Sequence, residues 1–161
     1  MKWILLALLC VGPVLHTQEI PKQLWGTWRI TRILPARTIS CWDEDDAERI
    51  LGTKIHYSAQ VFRWKTYEVN QPKIESRIFT ARQFEDEYSS PSVNGSQVSF
   101  RQLGIHSRKI QEMDIRHPAA DISGATTEIP GDNVLLKNKT TIIISVCNVY
   151  FEARRALGKE R

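Results

Sequence analysis

Short runs of β-branched and aromatic residues follow one another along most of the chain, and Gly, Pro, Asn and Asp separate them. From Gly26 onward apolar and polar side chains alternate until Pro35 ends the run, which is the period of a β-strand. Residues 61–69 form another such run, and residues 141–151 contain so few polar side chains that we expect a central strand covered on both faces. Many short strands with few helical segments favour a barrel or a sandwich over an α/β enzyme fold.

Two or three short helices are expected between the strands. Asp43 opens an acidic stretch that is followed by an apolar turn and by Gly52, so a carboxylate stands at the start of this helix and a glycine at its end. Thr80 and Ser99 each precede a glutamine by three residues, which is the spacing of a capping box. We therefore predict a mainly β fold, an antiparallel β-barrel with two or three short helices.

The first 17 residues are typical of a secretory signal peptide. Lys2 supplies the positive charge, and the apolar run after it is too short to span a bilayer and ends at Gly12-Pro13. We expect cleavage before Gln18, which leaves residues 18–161 as a single domain without a transmembrane segment. The protein is therefore expected to be secreted or periplasmic.

The cysteines agree with this location. Once the signal is removed, Cys41 and Cys147 remain, and an exported chain with two cysteines most simply pairs them in a disulfide. Such a bond would tie the early chain to the last long strand. Two buried free thiols are the alternative, because the sequence does not show whether the two Cα atoms come within bridging range.

Charge and motifs argue against several classes of function. The predicted mature chain has 21 Lys and Arg against 18 Asp and Glu, with both signs scattered, which argues against a nucleic-acid-binding surface. The sequence has no G-x-S-x-G motif, no phosphate-binding glycine loop, and no histidines or cysteines at metal-ligand spacing. We therefore predict no catalytic residue, no metal site and no cofactor, and an enzyme is the less favoured interpretation.

Near the start of the first strand, Gly26-Thr27-Trp28 resembles the G-x-W signature of the lipocalins and the wider calycin group. Arg154 or Arg155, just after the last long strand, looks like the arginine that lies over the signature tryptophan in that family, and we assign this role to Arg154. The middle signature T-D-Y is missing, and the predicted helix after Asp43 stands where lipocalins usually carry an open loop. The resemblance implies structural roles for Gly26, Trp28 and Arg154 in a lipocalin-like barrel.

The resemblance also implies a function, the uptake of a small hydrophobic or amphipathic molecule inside the barrel without chemical change. Barrels of about eight strands can enclose one small ligand. The aromatic residues expected to line the site are Tyr57, Phe62, Trp64 and Phe79.

Two other classes of function remain open. An exported protein-interaction module, of the inhibitor or immunity type, would have a filled barrel and would contact a protein partner through residues 89–96 and 117–124. A barrel-fold hydrolase or isomerase would need a cluster of perturbed side chains, for which His56, His117 and Glu68 are the first candidates. The interior of the barrel, hollow or filled, distinguishes the carrier from the interaction module.

Overall fold

A computed structural model describes residues 19–36, 41–89, 97–117 and 128–156. The predicted signal peptide lies outside these ranges. The described strands are β1 (Gly26–Ile33), β2 (Lys54–Tyr57), β3 (Val61–Trp64), β4 (Tyr67–Asn70), β5 (Lys73–Thr80), β6 (Lys109–Arg116), β7 (Asn133–Leu136), β8 (Thr141–Val146) and β9 (Val149–Arg155). The described helices are α1 (Glu44–Glu48) and α2 (Ala81–Tyr88). The predicted mainly β class is confirmed.

The nine strands form one antiparallel sheet in the order β4-β3-β2-β1-β9-β8-β7-β6-β5, curled into a half-barrel. Its two edge strands, β4 and β5, are consecutive in the chain and are joined by Gln71 and Pro72 alone. Because such a connection spans at most about 11 Å between the flanking Cα atoms, the two edges of the sheet approach each other at this corner. The curl therefore has a distinct inner and outer face.

Two of the predicted long strands are each a pair of strands in the structure. The run at residues 61–69 is broken by a turn at Lys65, which has a φ of 51°. The run at residues 141–151 is broken at Cys147 and Asn148, with φ angles of 49° and 61°. Positive φ at both central residues is the conformation of a type I′ hairpin turn. The resulting strands β8 and β9 lie next to each other in the middle of the sheet, as their apolar character predicts.

Both helices begin at the predicted caps. The Asp43 side chain accepts a hydrogen bond from the backbone N–H of Asp46 at the start of α1. Thr80 forms the predicted capping box with Gln83 at the start of α2. Ser99 makes the same reciprocal hydrogen bonds with the glutamine three residues later, but the chain continues there as a turn rather than as a helix.

The sheet carries an apolar cluster on each face. One cluster takes side chains from all nine strands, from Val69 at one edge to Ile74 at the other, and therefore occupies the inside of the curl. The other covers the outer face of the strands from β5 to β9, where Phe84 of α2 and the turn segment around Phe100 pack against Ile143. We call these the inner cluster and the outer cluster.

The contact predicted for the signature tryptophan exists, but Arg155 makes it. The Arg155 guanidinium lies 4.2 Å from the centre of the Trp28 ring and donates to backbone carbonyls, including that of Gln23 at 2.7 Å. Arg154 lies on the other face of β9 and donates to Glu152 at 3.0 Å. The assignment to Arg154 is wrong because neighbouring residues of a strand point to opposite faces. Gly26, with a φ of 113°, leaves room for Arg155, since a Cβ there would lie 3.0 Å from its Nη1.

The Cys41 and Cys147 sulfurs lie at disulfide distance, 1.93 Å apart, with Cα atoms separated by 5.2 Å. The pair ties the segment before α1 to the turn between β8 and β9. Within the described part of the chain, no helix is long and apolar enough to cross a membrane.

Candidate functional site

The aromatic residues predicted to line a cavity do not share one surface. Tyr57, Phe62 and Trp64 belong to the inner cluster, and each is at most 8% exposed. The rings of Tyr57 and Phe62 are stacked with their centres 5.5 Å apart. Phe79 belongs to the outer cluster, where its ring meets those of Phe84 and Tyr88. The structure thus brings three of the four together as packed core and places Phe79 on the opposite face.

A cleft of about 260 Å³ lies at another place, where β6 and β8 end and β7 begins. Asp114, Asn133 and Ser145 are direct cross-strand neighbours on the outer face and form one wall. The lining is completed by Ile115, Arg116, His117, Glu128 and Asp132. The cleft is therefore polar and contains three carboxylates.

A histidine–aspartate pair forms a largely buried part of this lining. His117 is 7% exposed in its side chain, and its Nε2 lies 3.1 Å from Oδ2 of Asp132. The same Asp132 oxygen accepts the backbone N–H of Ile129 at 2.8 Å. Burial raises the pKa of Asp132, and the hydrogen bonds from Ile129 and His117 oppose that rise.

The other ring nitrogen of His117 is unusual. Its Nδ1 is buried and has no hydrogen-bond partner among the residues that the structure describes. In the tautomer whose proton is on Nε2 and points to Asp132, Nδ1 has a lone pair and can accept a hydrogen bond. A ring that lines the cleft thus carries a buried, unsatisfied nitrogen, and the hydrogen bond to Asp132 fixes its orientation.

The turn that carries Asp132 is positioned by the inner cluster. The Tyr57 hydroxyl donates to the carbonyl of Gly131 at 2.8 Å. Gly131 has a φ of 99°, and a Cβ at this position would lie 2.6 Å from the Tyr57 hydroxyl oxygen. Only glycine fits there. Tyr57, which we expected to touch a ligand, therefore supports the floor of the cleft from the inside.

Glu128 connects the cleft to the cysteine pair. One of its carboxylate oxygens, Oε2, accepts the backbone N–H of Cys147. The turn between β8 and β9 therefore holds this carboxylate in place.

A buried polar network extends from the cleft under α2. Glu112 is 1% exposed and accepts hydrogen bonds from Arg77 at 2.8 Å, from Asn133 at 3.1 Å and from the Tyr88 hydroxyl. Asn133 also donates to Asp114 at 2.7 Å, so it links Glu112 to the cleft. Burial and the hydrogen bond to Glu112 raise the pKa of Tyr88, which stays a neutral donor.

The candidate residues for an enzyme are not brought together. His117 lines the cleft, whereas His56 is exposed on β2, 3.3 Å from the Thr27 hydroxyl. Glu68 is on β4 and accepts a hydrogen bond from Arg63 at 2.8 Å, which lowers the pKa of Glu68. Of the segments predicted to contact a protein partner, most residues lie outside the described ranges.

The cleft lacks the arrangement of a metal centre. Among the described residues, no group of three or more His, Cys, Asp or Glu side chains is placed to hold a metal ion. The acids are instead distributed around the lining, where each can accept hydrogen bonds from a different part of a molecule.

Comparison with known proteins gives no relative, since no family model, curated protein or solved structure matches the chain. Function is therefore argued from the site itself.

Proposed function

We propose that the protein is an exported binding protein in which the curled sheet is a packed scaffold and the outer cleft takes up a small polar molecule. The observation that carries this proposal is the buried Nδ1 of His117, which has no partner within the described ranges. Leaving a buried acceptor unsatisfied costs about 1–3 kcal/mol. Exceptions to local rules of this kind are expected at functional sites, and a ligand that shifts the ring enough to donate to Nδ1 removes the cost.

The size of the cleft supports a small ligand. Pockets for drug-sized molecules have volumes of about 300–1,000 Å³, and this cleft has about 260 Å³. The proposed ligand is therefore smaller than a typical drug molecule.

We place the ligand in the outer cleft rather than among the predicted aromatic residues. Tyr57, Phe62 and Trp64 are in the inner cluster, and Tyr57 already uses its hydroxyl to hold Gly131. A carrier of hydrophobic molecules needs apolar surface that remains accessible to its ligand. The inner cluster offers little of it, since Trp64, the most exposed of the three, is 8% exposed.

Export is supported by the predicted signal peptide and by the cysteine pair. Cys41 and Cys147 lie at disulfide distance, and disulfides persist in oxidising compartments outside the cytosol. The stacking of Arg155 on Trp28 supports a distant relationship to calycin barrels, which we include in the proposal.

The packed inner cluster also fits an interaction module, which is the second candidate. Such a module binds its partner through surface loops and has no need of an unsatisfied histidine in a cleft. The His117 geometry therefore favours the small-molecule function.

A nuclear magnetic resonance screen tests the proposal. The mature chain, labelled with ¹⁵N and with its cysteines paired, is titrated with a set of small polar molecules. We expect some of them to shift the backbone amides of Asp114, His117 and Ser145. Shifts confined to the amides around Phe62 and Trp64, or no shifts at the cleft with any compound, would overturn the proposal.

A pair of variants localises the response. Ser145→Met places a long side chain in the cleft and should abolish the shifts. Thr141→Met is the matched control, because Thr141 lies four residues earlier on the same face of β8 and outside the lining. This control should bind like the native protein.

A further inference from the structure

We infer that the molecule taken up in the outer cleft is an organic cation, a small compound that carries a protonated amine. This inference rests on the proposed function and specifies its ligand. It follows from the charges, the hydrogen-bonding groups and the spacing of the residues that line the cleft.

The charge of the lining is opposite to that of the chain. The full sequence has a formal net charge of +4, whereas the lining has the carboxylates of Asp114, Glu128 and Asp132 against the single arginine Arg116. Arg116 is itself paired, with its Nη2 3.0 Å from the carboxylate of Glu75. A cationic ligand is therefore attracted to this cleft although the protein as a whole is basic.

The lining is rich in acceptors and poor in donors. Glu128 and Asp132 each accept the described hydrogen bonds through one oxygen, Oε2 and Oδ2 respectively. Their second oxygens have no donor among the residues that the structure describes. Nδ1 of His117 lies buried in the same lining and becomes a further acceptor when the ring shifts toward a ligand. A protonated primary amine matches this set, because it has three donors and no acceptor.

The buried carboxylate gives a further reason for a positive charge. Burial raises the pKa of Asp132 and so makes its ionised form costly. A cation in the cleft offsets that cost, whereas an anion increases it. Charge-assisted hydrogen bonds from an ammonium group to carboxylates are also about twice as strong as neutral ones.

A single metal ion does not fit the same residues. It would need several oxygen ligands converging on one point at about 2.0–2.6 Å, and the described acids form no such group. An organic cation spreads its contacts over a larger volume, which suits acids that are distributed around the lining.

The test uses three probes with the same four-carbon chain, namely n-butylamine, 1-butanol and butyrate. Each is titrated into the ¹⁵N-labelled protein at neutral pH, and binding is followed at the cleft amides. We expect butylamine to bind at least tenfold more tightly than butanol and butyrate not to bind. Equal or tighter binding of butanol or butyrate would overturn the cation assignment.

Charge-neutralising variants provide the second readout. Glu128→Gln and Asp132→Asn keep an oxygen that can accept the existing backbone hydrogen bonds, and each should weaken butylamine binding about five- to tenfold. Glu68→Gln is the control, since it makes the same change of net charge on β4, outside the lining. Its effect should be less than twofold. Effects of the cleft variants no larger than that of Glu68→Gln would contradict the inference.

Failure of this inference and failure of the proposed function give different results. If butylamine does not shift the cleft amides at its highest soluble concentration but other compounds of the screen do, the cleft is a binding site and the cation assignment is wrong. If no compound shifts those amides, the proposed function is wrong as well.

Discussion

The buried carboxylate of Glu112 should be one of the most sensitive positions of the sheet. It is 1% exposed and accepts from Arg77, Tyr88 and Asn133. Glu112→Gln keeps the shape of the side chain but removes its charge and replaces one acceptor oxygen with a donor. At least one of the three donors then loses its acceptor.

The expected loss in the free energy of unfolding depends on which donor is left without its acceptor. Breaking a buried ion pair by removing one partner costs about 3–5 kcal/mol, but Arg77 is 47% exposed in its side chain and also contacts Glu87 at 3.2 Å. We therefore expect the lower value of about 2–3 kcal/mol, close to the loss of one hydrogen bond to a charged group. For a chain of this length the corresponding fall in Tm is roughly 5–10 °C.

Thermal and urea unfolding of Glu112→Gln and Glu87→Gln measure this difference directly. The two glutamates contact the same arginine, but Glu87 is 51% exposed in its side chain, so its substitution should change the free energy of unfolding by less than about 0.5 kcal/mol. Equal, small effects of the two substitutions would refute the reasoning, because they would show that the buried network contributes no more than a surface ion pair.

Three further predictions concern stability. Replacing Cys41 and Cys147 with serine opens a loop closed by a sequence separation of 106 residues and should lower the free energy of unfolding by about 4–5 kcal/mol; a loss below about 1 kcal/mol in urea unfolding would contradict the chain-entropy estimate. Arg155→Met should lower the free energy of unfolding by about 2 kcal/mol, because the contact with the Trp28 ring and the hydrogen bonds to backbone carbonyls are lost. Arg154→Met should lower it by less than about 0.5 kcal/mol. Comparable Tm values for the two variants would show that Arg155 has no special role. Burial raises the pKa of Asp132 above its ordinary 3.8, so the folded state binds this proton more tightly than the unfolded state. The free energy of unfolding, compared with that of Asp132→Asn, should therefore fall as the pH rises above 3.8. An increase in urea unfolding measurements over that pH range would contradict this prediction.

Features that depend on neighbouring residues could be predicted from the sequence. Asp43 and Thr80 cap their helices through side chains that reach backbone groups three residues away, so the signal lies within one turn. The alternation after Gly26 likewise identifies β1, because the inward position of Trp28 depends only on the period of the strand.

The wrong predictions concern places where the chain reverses direction, or where the face of a strand must be assigned, and where neighbouring residues give only a weak signal. Lys65 and Cys147 adopt positive φ although neither is glycine, so the turns that divide two predicted strands lack the usual signal. The exchange of Arg154 for Arg155 is an error of one residue, which reverses the face of the sheet.

The cleft could not be predicted because its residues come from separate parts of the chain. Asp114, Asn133 and Ser145 are brought together by the register of β6, β7 and β8, and the sequence does not state which strands pair. Pro, Gly, Asp and Asn at residues 130–133 indicate a turn, but the sequence does not indicate what that turn lines. A partial signal exists in β6, where Glu112 and Asp114 alternate with Met113 and Ile115 of the inner cluster.

The nitrogen resonances of the His117 ring test the central claim most directly. A long-range ¹H–¹⁵N spectrum of the mature protein, recorded before and after the addition of n-butylamine, reports on Nδ1 itself. We predict that the Nδ1 resonance changes on binding and that this change is absent in Ser145→Met. An Nδ1 resonance that stays unchanged while butylamine shifts amides elsewhere in the protein would contradict a binding site in the outer cleft.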